Sequence, residues 1–330
     1  MTPKQVLGYY LVGKVKSITP ISFGLIHRSL KVEAEKGTFL LQHLHPDLTH
    51  PSRTADYNVV TQFLKKKGQL TQTVVSTTSR KLQVKDGDSA WRLLTFVAGR
   101  VYDRAPTLTQ AGKLGEALGQ FHVTFKSFRS LFKKKKRLHD SARVYRTLLQ
   151  LHKRYPSHPM GRQLATEIEF LKRHLPELFL PNTLPQRVIH GDPKITNIVF
   201  ASKGRMVMVD LDTCQRDTPL FDLGDALRSW CKLDLRCFRP ALVGYRSKAS
   251  GFLSRNEQKY IVQAFQLITL QLAARFLIDV FENRFFGWDR QLYRSRRLHN
   301  IVRTRKMIAF YQTTQQHKVH LEHIVEEVFK

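Results

Sequence analysis

Scarcity narrows the field first. Only three cysteines, Cys214, Cys231 and Cys237, stand in 330 residues, at spacings that suit neither a metal site nor a disulfide framework. A reducing, cytoplasmic setting is the expectation. Roughly the first 30 residues lack a charged-then-apolar leader pattern, and no run approaches the ~18 apolar residues of a membrane span, so no membrane partner is expected. Internal repeats and low-complexity linkers are missing, and a hydrophobic content of 42% argues against disorder. Acid is also scarce. Asp and Glu number 26 against 55 Lys and Arg, a net charge of +29. That charge suits a polyanion. The runs Lys65–Lys67 and Lys133–Arg137, however, have no interleaved aromatics and follow helical apolar patterns. They read as solvated helix ends, where cations suit the dipole, and nucleic acid is not the expected partner even though Arg294–Lys306 is Arg-rich too.

What is present centres on residues 188–212. Asp192 and Asn197 stand five positions apart between two short apolar runs, and a second apolar run, Val207-Met208-Val209, delivers Asp210 and Asp212, with a Ser202-Lys203-Gly204 turn between. Phosphoryl transfer from ATP calls for such a set. One carboxylate, Asp192, accepts the proton of the attacking hydroxyl, while the amide of Asn197 and the carboxylate of Asp210 hold Mg²⁺ on the phosphates. Lys194 places an ammonium near the γ-phosphate. Little covalent chemistry remains for the protein, so positioned charge does most of the catalysis. A capped hairpin whose Asp residues bond their own backbone is the plain alternative, and the joint spacing speaks against it.

Around this stretch the pattern divides. Residues 10–44 read as strands, with a turn at Pro20–Gly24; Arg53–Lys67 reads as a helix; Val74-Val75, Leu82–Val84 and Trp91–Val97 complete a five-strand set. From Thr107 the spacing is helical. Ala111, Leu114, Leu118, Phe121, Phe125 and Phe128 form one stripe, in which His122 is a packing residue, and Leu164, Ile168, Leu171 and Leu175 repeat the pattern. Three more helices are expected over 220–231, 256–284 and 299–328, the middle one buried. Strands first and helices later predict an α+β, two-lobed architecture, with a β-rich N-lobe over 1–98, a mostly helical C-lobe over 99–330, and the nucleotide in a cleft.

The motif His190-Gly191-Asp192 with Asn197 and Asp210 resembles that of the aminoglycoside phosphotransferase and choline kinase superfamily, whose fold is protein-kinase-like. Four stretches are similar to the N-acetylhexosamine 1-kinase branch: Gly24–His27 with Thr38–Gln42, Trp91–Gly99, Asp210–Thr213 through Phe221–Arg228, and His299–Arg305. The resemblance implies ATP and Mg²⁺, with Asp192 as base, Asn197 and Asp210 as metal ligands, and Asp212 supporting the metal. It further implies a hinge at Phe96 and Val97 offering backbone groups to adenine, support of the catalytic loop by His190 and Asp222, and an acceptor side formed by Arg228, His299, Asn300 and Arg303. The acceptor it points to is a small molecule, a sugar such as an N-acetylhexosamine phosphorylated at its anomeric hydroxyl, with choline, amino alcohols or aminoglycosides as alternatives. Gln42 stands in the nucleotide site where a kinase third strand carries lysine, so another cation must meet the phosphate charge. The imidazole of Gly24-Leu25-Ile26-His27 lies two places later than in the branch's Gly-His-Ile-Asn. A kinase-shaped scaffold that binds nucleic acid through its basic runs is the competing reading.

Overall fold

The computed structural model describes residues 1–21, 27–102, 107–133, 139–155, 157–232 and 234–330. Residues 22–26, which take in Ser22–Gly24 of the expected turn, and Lys134–Arg137 of the second basic run lie outside the described residues. The chain forms two compact units. The first comprises Met1–Arg104, Thr124–Lys136 and Asp192–Arg216, and the second the remainder. Asp192–Arg216 is thus grouped with Met1–Arg104.

The first unit is built on an antiparallel sheet of β1 (Val15–Ile21), β2 (Arg28–Ala34), β3 (Gly37–His43), β4 (Val74–Val75), β5 (Val84–Asp86) and β6 (Ser89–Thr95), in the order β1-β2-β3-β6-β4 with β5 also on β6. The sheet has six strands where a five-strand set was expected. β4 pairs with Leu93 and Leu94, and β5 with Ser89–Trp91, so the two lie end to end on one edge of β6 and fill the place of a single strand. Alternation along the strands gives the sheet two unlike faces. Leu30, Val32, Leu41, Trp91 and Leu93 pack on Val6, Leu7 and Tyr10 of the N-terminal segment, which carries a short helix, α1 (Pro3–Leu7), closed by a Thr2/Gln5 capping box. Sequence reading missed that helix, since five residues show no periodicity. The other face carries Ser29, Gln42 and Arg92 in register on three neighbouring strands, and α2 (Pro51–Lys66) brings Tyr57, buried, to it. Lys65 and Lys66 occupy the last turn of α2 as expected. Lys133 does not end a helix; its backbone N–H donates to Asp56 at 2.8 Å.

The second unit is helical. The apolar stripe begins in α3 (Leu108–Thr124), but Phe125 and Phe128 fall beyond it and pack on Phe63 of the first unit at 5.2 and 5.0 Å. One stripe therefore serves both units. The Ile261–Glu282 helix is long and apolar enough to cross a membrane by length and composition, with a mean hydropathy of 1.6, yet 72% of that window is buried inside the protein. Leu267, Leu270, Ala274 and Leu277 pack there with Leu171 and Ile308, and its Gln271 and Gln266 accept from Ser141 and donate to Gln315. The expected 299–328 helix is two, Arg296–Gln316 and Lys318–Phe329. Thr313, Thr314 and His317 bond back to main-chain carbonyls near the break, a competition that ends helices. Likewise the expected 256–284 helix starts with a separate capped turn, Arg255–Gln258.

Candidate active site

Ile189 closes a short strand, β7 (Arg187–Ile189), just before His190. What holds the next turn is Asp222, wholly buried on the Pro219–Cys231 helix. Its carboxylate accepts the backbone N–H groups of His190 and Gly191, both at 2.7 Å, and Nε2 of His122 at 3.0 Å. Burial pushes this carboxyl up, but the His122 bond, the nearby imidazoles and the Gly191 N–H together hold it below its usual range. Tyr245 Oη lies 2.9 Å from His122 Nδ1. With Nε2–H donating to Asp222, the hydroxyl donates to Nδ1, and burial keeps that phenol protonated by raising it well above its usual value. The approach of Tyr245 needs glycine. A Cβ on Gly115 would stand 2.0 Å from the Ala241 carbonyl, and one on Gly244 1.9 Å from that of Gly112.

Past Asp192, a 3-10 turn (Ile195–Asn197) leads into β8 (Ile198–Phe200), which pairs antiparallel with β9 (Met206–Met208). The expected turn between them is present, with Lys203 and Gly204 at φ 58° and 67°. Lys194 Nζ meets Asp192 Oδ2 at 2.5 Å. Asn197 Nδ2 donates to Asp192 twice, to the backbone carbonyl at 2.9 Å and to Oδ2 at 3.1 Å. Val209 N–H donates to the Asn197 carbonyl at 2.9 Å, bringing the residue before Asp210 onto Asn197. Asp210 sits outside the strand in the left-handed region, φ 61° and ψ 51°. For a residue with a Cβ this costs about 1–2 kcal/mol, and such conformations persist where surrounding contacts over-determine them, often at functional sites. Burial and the neighbouring Asp212 both raise the Asp210 carboxyl, while His27 and Lys194 oppose them.

Asp212 is engaged from the sheet. Arg92 Nη1 and Nη2 reach its two oxygens at 2.7 and 2.5 Å, and Nε and Nη2 of the same guanidinium reach Gln42 Oε1 at 2.9 and 2.7 Å. Burial alone would raise Asp212, but Arg92 and its hydrogen bonds hold it far below the carboxylate range. Sequence reasoning missed Arg92. The available signal was an arginine inside an apolar strand run, on the same side as Gln42. Gln42 is buried and spends its amide oxygen on Arg92, and its Nε2 donates to Ser29 at 3.3 Å; it holds the arginine rather than standing in for a lysine. His27 lies with Asp210 and Asp212 inside a 4.8 Å cluster. Its Nδ1 accepts the His45 N–H at 3.1 Å, so the ring proton is on Nε2, which faces Asp212 at 3.6 Å as a donor and not as a metal ligand.

The remaining expected residues divide. Val97 is buried with Val199 and Val207. Phe96 gives its N–H to Thr38 at 3.2 Å, so of the backbone groups expected to face adenine, that one is spent. In the second unit, Arg228 clasps one oxygen of Asp225 at 2.7 and 3.0 Å, and the other, Oδ2, is buried with no hydrogen-bond partner among the described residues. Asn300 is fully buried and donates to Asp279 at 2.9 Å; Arg303 donates to the Gly287 carbonyl at 2.7 Å and covers the Phe276 ring. His299, stacked on Tyr293 with Nδ1 accepting from Asp289 N–H, and Arg303 both keep partly open positions. The Asn300 side chain is spent on packing inside the protein.

A carboxylate, an amide and a second, strained carboxylate gathered on one hairpin are the kinds of group that phosphoryl transfer calls for. The chain belongs to the phosphotransferase enzyme family (APH), whose model matches residues 17–255, and it is an ATP-dependent small-molecule kinase. It is 24% identical over 276 residues to a homoserine kinase of Beijerinckia indica subsp. indica, covering 82% of this chain and 80% of that protein. Among solved structures, a microcompartment-associated aminopropanol kinase superposes with a TM-score of 0.67 at 18% identity, over 95% of this chain and 96% of that one. An amicoumacin kinase in complex with AMP-PNP and Ca²⁺ gives 0.63 at 16%, over 95% and 97%. At these identities the likeness of structures speaks for the fold, which is kinase-like and α+β as expected. None of the three is an N-acetylhexosamine 1-kinase.

Proposed function

We propose that the chain transfers the γ-phosphoryl group of ATP, with Mg²⁺, to the hydroxyl of a small amino alcohol. The observation that carries the reading is the Asp192–Asn197–Asp210 assembly, in which Asn197 bonds to the carboxylate of the base and, through its carbonyl, to the segment that presents Asp210. The donors fit a hard cation. Asn197 Oδ1 and the Asp210 carboxylate are oxygen ligands of the kind Mg²⁺ takes, and the clustered Asp210 and Asp212 charges call for positive compensation. Asp212, with both oxygens on Arg92, orients this pair rather than completing the metal's shell. When bound, the metal neutralises charge on the phosphate oxygens.

Asp192 takes the acceptor's proton as the hydroxyl oxygen forms its bond to phosphorus and the bond to the β-phosphate oxygen breaks, releasing ADP. In this reading Lys194, paired with Asp192 in the free protein, meets the charge of the transferred group. Asn197 Nδ2 fixes the carboxylate's orientation. Asp222 holds the two peptide N–H groups before the base, so that the side chain leaves the main chain at a set point. Val97, with Val199 and Val207, supplies an apolar surface for adenine.

The acceptor class rests on relatives named for homoserine and aminopropanol, which share an amine and a hydroxyl. The N-acetylhexosamine acceptor is a second reading, carried by the four stretches of sequence similarity. ADP release measured with homoserine, aminopropanol, ethanolamine, choline, N-acetylhexosamines and an aminoglycoside tests both. The amino alcohols should head the ranking, and stimulation by a hexosamine alone would overturn that choice. With the preferred acceptor, Asp192→Asn should lower turnover ~10²–10⁴-fold, the contribution of a positioned base, with ATP affinity little changed. Turnover equal to the parent's would reduce Asp192 to a turn residue.

A further inference from the structure

We infer that Arg92 carries the positive charge a kinase takes from a third-strand lysine, and that it acts as a positioning residue through Asp212 on the metal-holding Asp210. The inference deepens the kinase reading just given and rests on it. Gln42, at the lysine's place on β3, is directly opposite Arg92 on β6, and in an antiparallel pair such side chains share a face about 5 Å apart. The charge has moved one strand sideways. Arg92 is 1% exposed, so it is not placed to grip a nucleotide directly. It bridges instead, with one edge of the guanidinium on Gln42 and a forked pair of bonds on Asp212.

Two further contacts show a built arrangement rather than a stray ion pair. The guanidinium lies 4.4 Å over the ring of Tyr57 on α2, so the helix that supplies an acidic partner in kinases here supplies an aromatic floor. Ser29, accepting from Gln42, extends the rung to a third strand. Asp212 follows Asp210 by two residues across the left-handed turn, so fixing both oxygens of Asp212 restricts the rotation available to Asp210. The same buried cation also offsets the repulsion between two carboxylates crowded within one 4.8 Å cluster. Lysine is no equivalent here, because one ammonium cannot hold the fork and the amide together.

The test uses the full chain and two variants, with folding checked by circular dichroism and Mg²⁺-dependent ATP binding measured by calorimetry beside ADP release. Arg92→Lys keeps the charge and loses the fork. It should raise the Mg²⁺ concentration needed for half-maximal turnover ~10-fold or more and weaken Mg·ATP binding, while the acceptor KM stays within ~2-fold. The exchange Gln42→Arg with Arg92→Gln returns the cation to β3 at constant composition. It should recover at least ~10-fold of the turnover that Arg92→Gln alone loses or, where that single variant does not fold, restore folding with Mg²⁺-dependent ATP binding. A folded Arg92→Lys with the parent's Mg²⁺ dependence and ATP affinity would show that Arg92 serves stability alone and overturn the proposal. A parent protein that releases no ADP with any acceptor would instead strike the kinase reading, which separates the two failures.

Discussion

Asp222→Asn removes one charge and keeps the shape, so its cost can be worked from the contacts. The carboxylate is wholly buried and accepts three donors, His190 N–H and His122 Nε2 on one oxygen and Gly191 N–H on the other. An asparagine has one acceptor oxygen. In its cheaper orientation that oxygen keeps the pair on Oδ2, and the new NH₂ group confronts Gly191 N–H, donor against donor. A hydrogen bond to a charged group is worth about 1.5–3 kcal/mol, and a buried donor left unsatisfied costs about 1–3 more. The expected loss is therefore ~3–5 kcal/mol. Turnover should fall as well, since a misplacement near 1 Å at the base costs about 10²-fold. The pH dependence carries a sign. The folded carboxyl is held below its usual range, so its contribution is complete above the unfolded value, about pH 4, and is lost as pH falls through the folded value. Urea unfolding of both proteins from pH 7 downward should show a gap that is widest near neutrality and narrows in acid. A gap under 1 kcal/mol at pH 7, or one that widens in acid, would refute the reasoning.

Asp210→Ala should abolish the Mg²⁺-dependent part of ATP-induced thermal stabilisation, because it removes a metal ligand; it should also melt no lower than the parent without ligands, since it relieves crowded charge, and melting curves with and without Mg·ATP read both. Tyr245→Phe loses only a hydroxyl and should leave acceptor KM unchanged while lowering kcat a few-fold, because His122 loses the donor that orients it on Asp222; steady-state rates split the two constants. Gly244→Ala should destabilise by ~3 kcal/mol or more, within reach of the larger single-substitution effects, because its Cβ would meet a backbone carbonyl at 1.9 Å; an unshifted urea midpoint would contradict the close helix packing.

Where the site was legible in sequence, it was local. Asp192, Lys194, Asn197 and Asp210 lie within nineteen consecutive residues, and their spacing is dictated by one hairpin, which alternation and a Ser-Lys-Gly turn betray. Asp222 was reachable only through the family resemblance. Arg92 acts across 120 residues of chain, and no periodicity reports a strand register between distant segments. The same limit affected the acceptor side, where Asn300 carries the polar signature of a ligand contact but spends it inside the protein on Asp279. The fold class followed from the change of period near Thr107. Its misread boundaries lay where side chains bond back to the main chain, as at Thr313–His317.

The buried Ile261–Glu282 helix sets a condition on how the protein is made. Its apolar surface is covered in part by Ile301, Ile308 and Tyr311, residues that leave the ribosome after it. During synthesis that surface waits uncovered, a state prone to self-association and chaperone capture. A stop codon after Glu282 but before Arg296 would make the wait permanent. Such truncations should accumulate as insoluble protein or be degraded, even though every proposed catalytic residue has already been translated.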